Sequence, residues 1–449
     1  MHVFPGFDVG GVQLRITSIM NRFPDRYRHS IVATNGCFDC LPRINGDVEV
    51  ATVPLAPAKG GIVARLRDMN RRIAAASPDL LVTYNWGAIE WALANRVFGR
   101  VPHLHMESGF GPDEAARQIR RRVLTRRFAL MRTRNVIVPS LNLERIARDI
   151  WKLPADRVLY VPNGVDLARF SAPPDMSVLP DGWAKPGAVV VGTVAPMRPE
   201  KNLFRMLTAF ARVAEACPAR LLLVGDGPDR DALERLVRDL GIAGRVHFTG
   251  YLDRPETAFG LMDVYAMSSD TEQMPNALVQ AMAAARPVVA TAVGDIAHIV
   301  AEQNSPYIVP VGDEAAFAGA MERLCGDAAA RAAVGSANLA RVRQNFDQDK
   351  MFETYCRLFD GGKLPCPRFG AYSAYAAAPR REHRHGIDID HPRYPLIPKI
   401  GMTITPALLY LWALPAVRRL LASGYDFDLI DAHYFYPDGV AAAVIARRL

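Results

Sequence analysis

Apolar residues in this chain recur with two alternating periods. Short apolar runs at 30–33, 80–83, 136–140, 220–224, 246–248, 264–267 and 288–291 read as buried strands. Stretches at 12–23, 88–97, from 143, 230–240, 276–285 and 347–359 repeat their apolar positions every three or four residues and read as helices. Glycine turns such as Gly225-Asp226-Gly227-Pro228 join the two kinds. The alternation predicts an α/β protein with parallel sheets covered by helices.

The stretch at 271–291, TEQMPNALVQAMAAARPVVAT, states this grammar most fully. The lone acid Glu272 precedes Pro275, which lacks an N–H just where a first helical turn has spare donors. Arg286-Pro287 stops the helix, and the β-branched run after it reads as a strand. An acid therefore stands where a strand-end loop meets a helix N-terminus, a crevice that in open α/β sheets takes ligands and favours phosphate.

The segments VGDGP, VHFTGYL, DVYAMSS and TEQMPNALVQAMAAARPVVATAVGD, with PNGVD at 162–166, resemble in order and spacing the family 4 glycosyltransferases of the GT-B fold. The resemblance covers roughly residues 1–360. It implies two Rossmann-like doubly wound domains facing a cleft: an acceptor-side domain at 1–171, a Pro- and Gly-rich linker at 172–187, a nucleotide-sugar domain at 188–346 and a crossing helix at 347–362. Residues 363–449 resemble part of a second family 4 N-terminal domain: Asp428-Leu429-Ile430, then Tyr434 and Phe435, parallel Asp79-Leu80-Leu81, then Tyr84 and Trp86.

Site residues follow from the same resemblance. The donor's sugar is expected at Glu272, its diphosphate at Lys201 and Arg198, and its base along Tyr251 and Leu252. Gly10 and Gly11, Gly225, and Met274, Pro275 and Asn276 complete the donor side; an ordinary tight turn is the other reading of Gly10-Gly11. On the acceptor side the resemblance implies His105 as a catalytic group near the transfer point, with Glu107 beside it. Two departures stand out. Relatives carry an arginine where Thr193 stands, and a second glutamate where Gln280 stands. A glutamine still accepts a hydrogen bond from ribose but loses the charge-assisted part, worth about 1–2 kcal/mol. Ala285 also replaces a glycine usual in the family.

Charge is uneven. Residues 1–170 carry 25 basic against 15 acidic side chains, residues 171–365 carry 19 against 24, and the remainder 10 against 7. The basic character thus describes the partner of the first half. Arginines from Arg117 to Arg134 interleave with apolar residues at helical spacing, suited to an anionic membrane surface or to a solvated helix face. No aromatic platform or nucleic-acid motif accompanies them, so no nucleic-acid partner is expected. The longest apolar run, 406–417, is shorter than a membrane span, and 1–20 lacks a signal-peptide pattern. A cytoplasmic protein, peripheral at the inner membrane face, is the expectation. Cys37-Phe-Asp-Cys40 reads as a surface loop, and Asp388-Ile-Asp390 and Asp426-Phe-Asp428 as chance resemblances to a metal-binding motif, so no metal is expected.

The expected activity is metal-independent, retaining transfer of a sugar from a nucleoside diphosphate donor, a co-substrate with no further cofactor, to a polysaccharide or lipid-linked acceptor of the cell envelope. A sugar-nucleotide epimerase of the same fold and a non-catalytic partner protein remain as alternatives.

Overall fold

Seven segments of the first 170 residues pair into one sheet. They are β1 (His2–Phe4), β2 (His29–Ala33), β3 (Val50–Thr52), β4 (Leu81–Tyr84), β5 (His103–Met106), β6 (Asn135–Val138) and β7 (Val158–Tyr160). Their order is β3-β2-β1-β4-β5-β6-β7, with every neighbouring pair parallel. A second parallel sheet, in the order β10-β9-β8-β11-β12-β13, holds β8 (Val189–Val194), β9 (Ala219–Val224), β10 (Val246–Gly250), β11 (Val264–Met267), β12 (Val288–Thr291) and β13 (Ile308–Val309). The strand order reverses between β1 and β4 in the first sheet and between β8 and β11 in the second. At such a switch point the connections leave in opposite directions and a crevice opens at the strand ends.

This computed structural model describes residues 1–55, 60–110, 112–114, 117–185, 187–361, 381–384, 387–390, 401–422, 424 and 440–447. Two units, 1–356 and 357–449, divide the chain. The helices around the first sheet are α1 (Gly11–Arg22), α2 (Ile62–Ala76), α3 (Ile89–Phe98), α4 (Arg120–Leu130) and α5 (Leu141–Asp149), and α6 (Leu167–Phe170) leads away from it. Around the second lie α7 (Leu203–Ala216), α8 (Arg230–Asp239), α9 (Glu256–Phe259), α10 (Asn276–Ala283), α11 (Ile296–Ile299), α12 (Glu314–Gly326) and α13 (Ala328–Asn345), followed by α14 (Gln348–Phe359).

Strand alternation divides the second domain's core into two layers. Leu222, Val224, Tyr265 and Met267 face Leu278 and Met282 of α10. Leu221, Leu223, Val264 and Ala266 face Met206 and Phe210 of α7 and Phe317 and Met321 of α12. At 8 residues α10 is too short to be stable alone. Burial of Leu278, Val279 and Met282, worth about 1.5–3 kcal/mol for each large side chain, holds it on the sheet.

Three features differ from the sequence expectations. First, β3 and α2 give no strong signal: β3 is three half-exposed or exposed residues, and α2 buries only Leu66 and Ile73. Second, the linker at 172–187 is strapped to the second sheet. Leu179 and Trp183 are buried in the core beside α10, and the Arg220 guanidinium lies 5.2 Å over the Trp183 ring. Those two apolar side chains outweigh the flexibility that the prolines and glycines suggest. Third, α4 does not segregate its apolar and basic residues. Arg126 is fully buried while Leu124 and Phe128 are exposed, because Arg122 and Arg126 turn inward to Glu114.

Before α14, Val165 bridges Asp347. Phe352 then meets Phe23, and Tyr355 lies under Arg15, so this helix sits on the first domain. Cys40 is buried against Thr17, so its loop is anchored, contrary to a plain surface loop. A hydrogen bond with Asp8 leads the causes that push the Cys37 thiol up to about 11.

Unit 2 pairs β14 (Arg381–Arg384) and β15 (Ile387–Asp390) antiparallel, which puts Asp388 and Asp390 in a two-stranded ribbon. Two helices follow, α15 (Gly401–Ala422) and α16 (Val440–Ala446). The expected strand at 428–430, its aromatic turn and Asp426 lie outside the described residues.

Candidate active site

A cavity of about 170 Å³ opens beyond the ends of β8 and β11, at the second sheet's switch point. Thr193 to Pro196 form one wall, Lys201 and Leu203 a second, and Ser268, Ser269, Glu272 and 274–277 the third. All of these belong to the second domain.

Local chemistry fixes the two charges. A 3-10 turn ends at Lys201, and Asn202 follows in the left-handed region, where its side chain caps α7 at the Arg205 amide. The Ser268 hydroxyl donates to the Lys201 carbonyl and pins that turn. Lys201 Nζ then donates to Glu272 Oε1 at 2.6 Å, and the Ser269 hydroxyl donates to the same oxygen at 2.8 Å. Behind them Tyr265 is buried. Burial first, and then the charge of Glu272, raises its phenol well above the ordinary range. Gly294, at φ 55°, lies under the Glu272 carbonyl, where a Cβ would stand 2.3 Å from the oxygen. Only glycine fits there.

Met274, Pro275 and Asn276 lead into α10 beside the pair. Pro275 occupies the N-cap and brings no capping side chain. The first-turn N–H groups therefore keep their donors for a ligand, next to Lys201. Gly225, outside that wall, backs it at Ala195. Its amide donates to the Gly250 carbonyl at 3.0 Å, and a Cβ there would stand 2.1 Å from the Ala195 oxygen. Tyr251 follows, 66% exposed, and Leu252 packs on the core.

The remaining expected residues stand apart from the cavity. Arg198 is exposed and outside its wall. Gln280 is half-buried one turn along α10 from Asn276, also outside it. Gly10 caps α1, and Gly11 abuts the second domain: its Cβ would stand 2.9 Å from Asn276 Nδ2.

His105 and Glu107 require a correction, since both are fully enclosed and present no surface to an acceptor. His105 Nδ1 meets the Thr83 hydroxyl at 2.8 Å, and the same hydroxyl meets His103 Nε2. Glu107 lies 3.4 Å from Arg126 Nε and 3.7 Å from His105 Nε2. The histidines at a strand end are packed because β5 is central, with β4 and β6 on either side. Arg126 is ringed by Trp86, Phe110 and Trp151 at 4.8–5.3 Å. Burial raises the Glu114 carboxyl, but hydrogen bonds led by that from Arg126 outweigh it and hold the group below the ordinary range.

The likeness to known proteins agrees with this geometry. A glycosyl transferase 4-like domain model matches residues 10–164, and a model of glycosyl transferases group 1 matches 185–327, together about two thirds of the chain. The chain is a GT-B glycosyltransferase. This glycosyltransferase is 29% identical over 357 residues to the 2-deoxystreptamine N-acetyl-D-glucosaminyltransferase of Streptomyces fradiae, across 71% of this chain and 82% of that one. It is 28% identical over 194 residues to the lipopolysaccharide core biosynthesis glycosyltransferase LpsE of Rhizobium meliloti, across 43% of this chain and 53% of that one. The HepE structure from Anabaena, in complex with UDP, superposes with a TM-score of 0.69 at 20% identity, over 80% of this chain and all but 1% of that one, a likeness of fold.

Sequence reasoning missed several residues in or bound to the cavity wall. Ser269 follows β11 in the DVYAMSS segment, where a hydroxyl pair at a strand end is the available signal. Asn163, which donates to Asn276 Oδ1 at 2.7 Å, stands inside the PNGVD segment, whereas Arg15, which donates to Asn163, carries no local pattern.

Proposed function

We propose that this glycosyltransferase moves a sugar, with retention of configuration and without a metal, from a nucleoside diphosphate donor to a polysaccharide or lipid-linked acceptor of the cell envelope. The carrying observation is the Lys201–Glu272 pair, held at a cavity edge beside the uncapped first turn of α10. In the proposed reaction the donor's diphosphate takes Lys201 and the α10 N–H groups, its sugar lies by Glu272, and its base runs along Gly225 toward Tyr251. The bond from the anomeric carbon to the phosphate oxygen breaks and its electron pair leaves on the diphosphate, while the acceptor hydroxyl oxygen bonds to the anomeric carbon on the same face and gives its proton to the departing diphosphate. An ammonium and a helix N-terminus aimed at that developing charge lower the barrier electrostatically. The HepE structures named for UDP and UDP-glucose support a uridine donor for this chain, and the lipopolysaccharide relative supports an envelope acceptor.

Membrane contact through α4 belongs to the same reading. Leu124, Phe128 and Met131 are exposed alongside Arg121, Arg127 and Arg132, a mixed face suited to anionic headgroups. No helix among the described residues is long and apolar enough to cross a membrane.

A thermal-shift screen with UDP-, GDP- and ADP-sugars, followed by product anomer assignment by NMR, tests the function. A donor at 100 times its dissociation constant stabilises the folded state by about 2.7 kcal/mol. Binding of every nucleotide without turnover on any acceptor overturns the transferase assignment, and isomerised free sugar made without acceptor points to an epimerase.

A further inference from the structure

Asp295 sits at the N-cap of the short helix α11 but makes no side-chain hydrogen bond to it. Its carboxylate reaches instead into the other domain. Oδ2 accepts from the Leu141 amide and Oδ1 from the Asn142 amide, the latter at 3.1 Å. The third free donor of that turn, the Leu143 amide, goes to the Ser140 hydroxyl at 3.1 Å. A carboxylate only 2% exposed thus completes the first turn of α5 from across the cleft, where the positive end of the helix offsets its charge.

The loop beside it is tied to the same turn. Gln273 Oε1 accepts from the Ser140 hydroxyl at 3.4 Å and from Asn142 Nδ2 at 3.3 Å. The Asp295 amide donates to the Gln273 carbonyl at 3.3 Å, and Gly294 lies under the 272–273 peptide. Glu272 is the next residue. The peptide that carries Glu272 is therefore gripped between Gly294-Asp295 and the start of α5, while the cavity wall lies entirely in the second domain.

We propose that Asp295 and Gln273 are positioning residues for the transfer step: by joining the α5 N-terminus to the 272–273 peptide, they make the orientation of Glu272 depend on contact between the two domains. Nucleotide binding does not need that contact, since Lys201, Gly225 and Tyr251 all stand on one side of it. The catalytic geometry at Glu272 does.

This rests on the transferase reading, so the test includes a readout that needs no turnover. In Asp295→Asn, one N–H partner and the charge are lost at nearly constant size. Hydrogen exchange at the Leu141 and Asn142 amides is expected to speed up at least tenfold, with the rest of α5 unchanged. The dissociation constant for UDP, used as the probe, stays within twofold. With whichever donor the screen identifies, kcat falls tenfold or more while KM for the donor moves less than threefold. Asp295→Glu restores part of kcat by returning the carboxylate. Should Asp295→Asn fail to fold, Gln273→Ala at a half-buried position takes its place, with slower turnover and unchanged UDP affinity expected.

Unchanged exchange at Leu141 and Asn142 overturns the contact itself. Faster exchange with kcat within twofold of wild type overturns the positioning role, and so does an equal loss of UDP affinity. A wild-type protein that shows no transfer at all sinks the function reading, and the exchange measurement still decides the contact.

Discussion

Replacing Glu272 with Gln separates the two tasks assigned to the Lys201–Glu272 pair. Lys201 makes a hydrogen bond of 2.6 Å to Glu272, with the two side chains 21% and 10% exposed. In the proposed reaction a diphosphate competes with that carboxylate for the ammonium. Glutamine keeps an oxygen for Lys201 and Ser269 but no charge, so the competition weakens by about 1 kcal/mol, the margin of a charge-assisted over a neutral hydrogen bond. UDP affinity should then rise about fivefold by isothermal titration calorimetry. The effect on transfer has the opposite sign. If the carboxylate orients the sugar and steadies the charge that develops on it, its loss should lower kcat by a factor of about 100 or more. Stability should drop by only about 1–2 kcal/mol, because both side chains lie at a cavity edge and not in a core layer. Weaker UDP binding together with near wild-type turnover would show that the pair is a structural ion pair and that the donor's sugar lies elsewhere.

Further outcomes follow from the same contacts. Arg126→Ala strands Glu114 and Glu107 without their buried partner and should cost about 3–5 kcal/mol, read from the urea midpoint, whereas Arg127→Ala on the exposed side should change it by less than about 0.5 kcal/mol. Ala285 sits at φ 56° just past Ala284, the C-cap of α10, a left-handed position, so Ala285→Gly should stabilise the protein by about 1 kcal/mol in thermal unfolding; a loss of stability there refutes the strain. Burial holds His103 down to about 3 and His29 down to about 4. Because the unfolded state binds protons near 6.5 while the folded state does not, the two histidines cost nothing well above that pH and destabilise the fold as pH falls below it. Each should cost roughly 2 kcal/mol between pH 6.5 and 5, and His103→Gln should flatten that slope in urea titrations. A chain ending at Lys363 should keep the activity of the full chain, since every residue placed at the cavity precedes it; lost activity in a folded truncation would assign the tail part of the acceptor site.

Much of the cavity wall could be read in the sequence because it is built from local segments. The strand that ends in Val224-Gly225, the acid at 272, the proline before α10 and the stop at Arg286-Pro287 each lie within a few residues of what they control. Period and turn chemistry therefore put them at the ends of parallel strands. Lys201 is local in the same sense, one residue before the cap of α7. Which of the charged candidates face solvent, the cavity or the core was decided only by tertiary packing. His105 and Glu107 have the composition of an acceptor site, yet His105 lies on a central strand between two neighbours, Glu107 directly follows it, and both are enclosed with Arg126. The arginines of α4 look interchangeable in sequence, but Glu114 and three aromatic rings draw one of them wholly inside. The linker's prolines and glycines signal a loop, and only the fit of Trp183 under Arg220 binds it to the sheet. Asp295 bears the most on the proposed mechanism. Its partners are the backbone amides of a helix about 150 residues earlier in the chain. Amides carry no sequence identity, so no pattern of side chains announces that contact before the two domains come together.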